Sequence, residues 1–449
     1  MRIRFNKLNR NADYRCKHST KNNRIPLPRT PVDLILHSAK QLVTVRGFTQ
    51  HPAIGPEMEE LGIIEDGAVA VSNGKVVAVS TSGEIFKNFD APQEIDATGK
   101  TVTPGLIDAH THFAFAGSRE LELEMKIKGV KYLEILEKGG GILRTVRDTR
   151  TASKDELLHS CRERANNLLT HGTTTIEAKS GYGLDLPTEI KSLEVINSLN
   201  DEGPLSLVPT FLGAHAIPPE FEGNTDGYVE VICKEWMPQI QRRGLATFCD
   251  VFCEKGVFEI EASRRILNAG KSFGLTPRVH ADELYPLGGA ELAAEVGAAS
   301  ADHLLYASAT GMKQMGRAGV VATLLPAAPL TLMMDRYANA REFIANRVPV
   351  ALGSDLSPSC WLENYQLVLA LACYKMQMAP AEALTGATIN AAHSIQRADE
   401  IGSIEKGKRA DMAIFDVPDY RFLSYRLGTN LVDTVVKNGK AVVRKGRLE

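Results

Sequence analysis

A parallel (β/α)8 barrel of the TIM type, carrying a small β-sandwich built from both chain ends, is the fold class the sequence predicts. Three observations predict it. Between residues 102 and 395, eight short apolar runs alternate with charged stretches of helical spacing. On either side lie strand-like runs joined by Asn-Gly, too few at each end to close a layer alone. Five of the eight runs bring a histidine or aspartate to their C-terminal end, where barrels of this class hold their chemistry. The expected division is a basic extension over 1–31, the first half of the sandwich over 32–101, the barrel over 102–395 and the second half of the sandwich over 396–449.

The first thirty residues contain nine of the 52 Lys/Arg and one of the 54 Asp/Glu. They lack apolar periodicity and end in prolines, which predicts a mobile tail without catalytic role. The rest of the chain, with 43 basic and 53 acidic residues, carries about −10. Such a body is a poor partner for nucleic acid, where affinity depends on Lys/Arg neutralising phosphate. No apolar run is long enough to span a membrane; the most apolar stretch, 320–334, is broken by Pro326 and Pro329. Seven cysteines with no C-x-x-C pair fit a reducing, cytoplasmic compartment.

From Asp33, DLILHSAKQLVTV reads as strand, and IIEDGAVAVSNGKVVAVS as a hairpin turning at Asn73-Gly74. QEIDATGKTV leads into the barrel, and the chain closes with GSIEKGKRADMAIFD and a second hairpin at Asn438-Gly439. The barrel runs are VTPGLIDAH, GTTTIEAKS, LSLVPTFLG, TFCDVFC, LTPRVHA, SADHLLY, VVATLLP and VPVALGSD. KDELLHSCRERANNLLTHG and AELAAEVGA are helical in spacing. Cys249 and Cys253 read as buried small hydrophobes rather than ligands.

The first run continues to His112, giving His110-x-His112. In a strand, side chains two apart point the same way, so the two imidazoles form half a metal site. His280 ends the fifth run and Asp355 the eighth, completing three imidazoles and a carboxylate with an open position for water. His215 ends the third run, His303 lies in the sixth, and Glu283 follows His280 by three residues, within reach for proton transfer. A single histidine at a strand end is ordinarily structural. Five of eleven at strand ends point instead to a metal site.

Arg119 in FAGSR, Tyr132 in KGVKYLEI and Tyr182 in KSGYG fall in loops above the first two strands. They suit a clamp for a substrate carboxylate, but spacing alone favours Arg119 pairing with a nearby acid such as Glu122. The Gly139–Gly141 triplet lacks the Lys-Ser/Thr and the preceding strand of a phosphate loop.

VTPGLIDAHTH together with GSIEKGKRADMAIFD resembles the amidohydrolase superfamily of metal-dependent barrels. FAGSRELELEMKIKGVKYLEILEKGGGILRTVRDTRTAS, GTTTIEAKSGYGL, PTFLGAHAIPPEF, DVFCEKGVF and HADE resemble, within it, the imidazolonepropionase family, from about Asp33 to the C-terminus. The resemblance implies hydrolysis of 4-imidazolone-5-propanoate to N-formimidoyl-L-glutamate in histidine degradation, with one Zn2+ or Fe3+ per chain and a homodimer. It implies His110, His112, His280 and Asp355 as metal ligands, and Glu283, His303 and Asp355 as catalytic. Arg119, Tyr132, Tyr182, His215, Glu283 and Ser357 become substrate contacts. One segment departs: Ser357-Pro358-Ser359-Cys360 stands where the family carries Asn-Pro-Gly-Ser/Thr, exchanging an amide's paired donor and acceptor for a hydroxyl. An aromatic-base deaminase of the same superfamily is the competing reading, since H-A-D-E with a later histidine and aspartate would serve it too. A non-catalytic scaffold would be expected to have broken ligands, and all four are present.

Overall fold

Eight parallel strands form one sheet in strict sequence order: Leu106–Asp108, Thr173–Lys179, Ser206–Ala214, Phe248–Cys253, Thr276–Ala281, Ser300–His303, Val321–Leu324 and Val350–Leu352. The computed structural model describes residues 29–130 and 140–449. Each expected run supplies one barrel strand. Their near-continuous apolar sequences suit strands covered on both faces, helices such as Lys154–Thr170 and Leu186–Glu202 lying outside. The last strand meets the first through Ala109 N to Leu352 O at 3.4 Å and Asp355 N to His110 O at 3.1 Å. Ser354 N adds a bond to Asp108 Oδ1 at 2.9 Å. These bonds bring the eighth strand's exit directly against the histidine pair.

One reading changes. The run over 102–110 is two strands, not one. Thr101–Pro104 pairs antiparallel with Met412–Phe415, while Leu106–Asp108 enters the barrel. The break falls at Gly105, where a Cβ would lie 2.2 Å from Thr174 Oγ1, so only glycine lets the chain pass between the two layers. Regular pairing of the first barrel strand ends at Asp108, and the two histidines stand beyond it. An isolated parallel bridge between Thr111 and Leu356 carries the strand direction past them, with His112 N to Leu356 O at 2.8 Å, and Thr111 N meets Glu177 Oε2 at 3.2 Å.

The two chain ends share a seven-stranded sheet that sets Gln41–Val43, Ile63–Ile64 and Thr101–Pro104 beside strands between Met412 and Leu448. A four-stranded sheet holds Leu34–Ala39, Gly67–Ser72, Lys75–Thr81 and Gln93–Asp96. Leu36, Val69, Ile95, Met412, Ile414 and Val436 fill one apolar core between them. Both Asn-Gly turns form where expected. Asn73, Gly74, Asn438 and Gly439 all have positive φ, the two-residue geometry whose twist matches paired strands. No helix among the described residues is long and apolar enough to cross a membrane.

Candidate metal centre

Four donor atoms crowd together at the C-terminal end of the barrel. His110 Nε2 lies 3.4 Å from His112 Nε2 and 3.5 Å from Asp355 Oδ1. His112 Nε2 lies 3.4 Å from Asp355 Oδ1 and 3.2 Å from His280 Nε2. A tetrahedron with bonds of about 2.0–2.1 Å has edges of about 3.3–3.4 Å, so these separations match those of donors sharing one small cation. Without a cation, lone pairs would face each other in a dry site. Burial, then the Lys179 charge, holds His110 well below the usual imidazole range; burial and His215 do the same to His112. Neutral imidazole is the ligating form. His303 also comes close, its ring nitrogen grouping with those of His110 and His280. The residues present fit a metal ion.

Backbone strain gathers at the same rim. Asp282, His303, Leu304 and Asp355 all have positive φ, from 51° to 73°. Asp and His tolerate this region better than most residues, which helps explain why these types sit here. Asp282 accepts the backbone N–H groups of Leu287, Gly288, Gly289 and Ala290, fastening the start of helix Gly289–Val296. Its neighbour Glu283 is thereby turned into the cavity, with Oε1 3.6 Å from His303 Nδ1. Gly353 is forced by crowding: a Cβ there would lie 2.8 Å from His110 Cβ. Gly353→Ala is expected to cost about 1–3 kcal/mol of stability by overpacking, read as a lower urea midpoint at unchanged m-value.

Beneath the donors lies a buried charge layer that sequence reasoning missed. Asp302 Oδ2 accepts from His110 Nδ1 at 2.7 Å, and Asp250 Oδ2 lies 3.0 Å from His280 Nδ1, so each carboxylate turns a ring's Nε2 toward the centre. Lys179 Nζ reaches Asp250 at 2.8 Å and Glu177 at 2.9 Å; Arg278 donates to Asp302 at 3.1 Å. All five side chains are fully buried. Two cations face three carboxylates here, an excess of one negative charge to which Asp355 adds another. That balance suits a divalent ion. The signal was present: Glu177, Lys179, Asp250, Arg278 and Asp302 are charged residues inside otherwise apolar strands.

Above the donors opens a cavity of about 800 Å³ lined by Arg119, Tyr182, His215, Glu283, His303 and Ser357, among others. Tyr132 lies outside the described residues. His215 stacks on His112 with ring centroids 4.6 Å apart, and its Nδ1 meets Gly181 O at 3.0 Å. Burial lowers its pKa to about 3, leaving Nε2 an acceptor. Burial raises the Tyr182 phenol, which stays neutral. Ser357 sits in a tight turn, exchanging backbone hydrogen bonds with Cys360 at 3.1 Å. Arg119 combines both sequence readings: it pairs with Glu122 at 2.7 Å, and it lines the cavity. Cys249 and Cys253 are buried, as expected of small hydrophobes.

The amidohydrolase family model matches residues 268–442. An imidazolonepropionase from Geobacillus sp. strain WCH70 is 52% identical over 420 residues, covering 92% of this chain and 99% of that protein. Another, from Shouchella clausii, is 50% identical over 92% of this chain and 94% of its own length. The chain belongs to the imidazolonepropionase family. More distant solved structures share the fold: an adenosine deaminase from Xanthomonas campestris with bound zinc has a TM-score of 0.70 at 19% identity, covering 94% of this chain and 95% of that one. A triazine hydrolase variant has a TM-score of 0.70 at 18%, covering 93% and 96%. At such identity they speak for architecture alone. The amidohydrolases are metal-dependent, and in this member of the imidazolonepropionase family the crowded His/Asp cluster is where an ion fits.

Proposed function

We propose that this chain hydrolyses the cyclic amide of 4-imidazolone-5-propanoate, opening the ring to N-formimidoyl-L-glutamate in histidine degradation. One observation carries the reading: a single cavity places a His/Asp donor cluster, a buried acid and a carboxylate-matching guanidinium around one space. His110, His112, His280 and Asp355 would hold one zinc or iron ion. When bound, that ion supplies Lewis-acid polarisation of the amide carbonyl and a water acidified toward neutrality.

The chain's own groups do the rest. Arg119 and Tyr182, with Tyr132, anchor the propanoate and convert encounter into a positioned reaction. His215, its Nδ1–H committed to Gly181, accepts from a ring N–H. Ser357 offers one hydroxyl to the ring. Asp355 takes the proton of the attacking water. Burial, and then the charge of Asp355, raises Glu283 well above the usual carboxylate range, so it carries the proton that passes to the departing ring nitrogen. His303, kept neutral by burial, stands beside Glu283 to stabilise the oxyanion. Asp355 takes one proton and Glu283 gives one; passage of the proton from Asp355 to Glu283, directly or through solvent in the cavity they share, restores the starting state. The small-molecule substrate requires neither nucleic acid nor membrane, and a cytoplasmic homodimer is the proposed assembly.

Freshly prepared 4-imidazolone-5-propanoate is expected to lose its ultraviolet absorbance in proportion to bound metal, with formimidoylglutamate as product. Metal-replete protein that leaves the substrate intact would reject the reading. Arg119→Ala is expected to raise KM about tenfold to a hundredfold, the range of a hydrogen bond to a charged group. An unchanged KM would move the carboxylate site elsewhere.

A further inference from the structure

We propose that Lys126 supplies the positive charge that the substrate's carboxylate neutralises, alongside the directional contacts of Arg119; the inference rests on the reaction proposed above. Helix Glu120–Ile127 forms one wall of the cavity mouth. Residues 119, 122 and 126 are spaced three and four apart, so their side chains share one face of it. Along that face the charges are unequal. Glu122, 3% exposed, accepts Arg119 Nε at 3.0 Å and Nη2 at 2.7 Å through Oε2, and Gly141 N at 2.7 Å through Oε1. Both its oxygens are engaged, and its charge answers that of Arg119.

Lys126 is left as the surplus cation. It is half-buried, lines the main cavity, and lines an adjoining cavity of about 400 Å³ bounded by Leu330, Met333 and Trp361. Among the described residues no carboxylate lies within ion-pair distance of its ammonium. Burial, and then the nearby Arg119 charge, lowers its pKa. A partly desolvated cation that must share the Glu122 carboxylate with Arg119 gains when a further anion arrives. On this wall, among the described residues, an entering molecule therefore meets two cations, Arg119 and Lys126, against the one carboxylate of Glu122. That arrangement selects a monoanion: a ring bearing one carboxylate is favoured over its carboxamide.

The test compares wild type, Lys126→Met and Lys126→Arg. The readouts are KM and kcat for 4-imidazolone-5-propanoate, and calorimetric binding of imidazole-4-propanoate against its carboxamide. Lys126→Met is expected to raise KM about tenfold to a hundredfold with a much smaller change in kcat, and to erase most of the carboxylate preference. Lys126→Arg, which restores the charge, should recover both. A merely solubilising lysine would leave KM and the preference unmoved in Lys126→Met, and that result overturns the proposal. A wild-type protein that binds the carboxylate more tightly but does not turn over the substrate rejects the reaction while leaving the Lys126 comparison readable. A wild type that binds neither ligand overturns both.

Discussion

Asp355→Asn is expected to lower kcat by about a hundredfold to ten-thousandfold, the range for losing a general base, while the barrel stays folded. The asparagine choice matters. Residue 355 has φ of 59°, a conformation that Asn adopts at least as readily as Asp, whereas alanine would add backbone strain to the chemical change. The backbone bond from residue 355 N to His110 O, which helps close the barrel, survives the substitution. What is lost is a carboxylate able to take the proton of the attacking water. Steady-state turnover, with metal content measured on the same sample, checks this. If the variant retains its metal and keeps kcat within tenfold of wild type, Asp355 is not the base.

Lys179→Met is expected to cost about 3–5 kcal/mol of stability, the range for removing one member of a buried ion pair. Lys179 is fully buried and held by Asp250 and Glu177, with Asp302 3.9 Å away. The attraction of Asp250 and Glu177 outweighs burial and raises its pKa, so it stays charged. Removing it leaves neighbouring carboxylates facing one another without water. Asp250 and Asp302 are also the groups that orient His280 and His110. The variant should therefore lose metal to a chelator faster as well as unfold at lower denaturant. Adding Glu177→Gln should return some of the lost stability, because one of the stranded charges is then gone. A midpoint within experimental error of wild type would mean the layer is not charged as described.

The barrel was legible because its strands are short, apolar and regularly spaced, and because parallel strands covered on both faces write a simple pattern. The Asn-Gly turns were legible for a similar reason: positive φ at two successive residues leaves few residue types to choose from. The division of residues 101–108 between two sheets was not legible. That break depends on Gly105 passing against Thr174, nearly seventy residues later, and periodicity within one run carries no trace of such a neighbour.

The same contrast runs through the site. By itself the sequence determined the donor types and their strand-end placement: His110, His112, His280 and Asp355, with His215, Glu283 and His303 nearby. Residue chemistry and barrel topology are local or regular properties, so they can be read in one dimension. Only the tertiary structure decided how those groups meet. It brought neighbouring donor atoms to separations of 3.2–3.5 Å and turned Glu283 inward through the neighbouring Asp282 cap. It assigned Asp250 and Asp302 to particular imidazoles through Lys179 and Arg278. It also showed that, among the described residues, Arg119 pairs directly with Glu122 while no carboxylate lies within ion-pair distance of Lys126. Charge balance is a sum over neighbours in space; a linear chain states which charges exist, and only folding decides which of them are close.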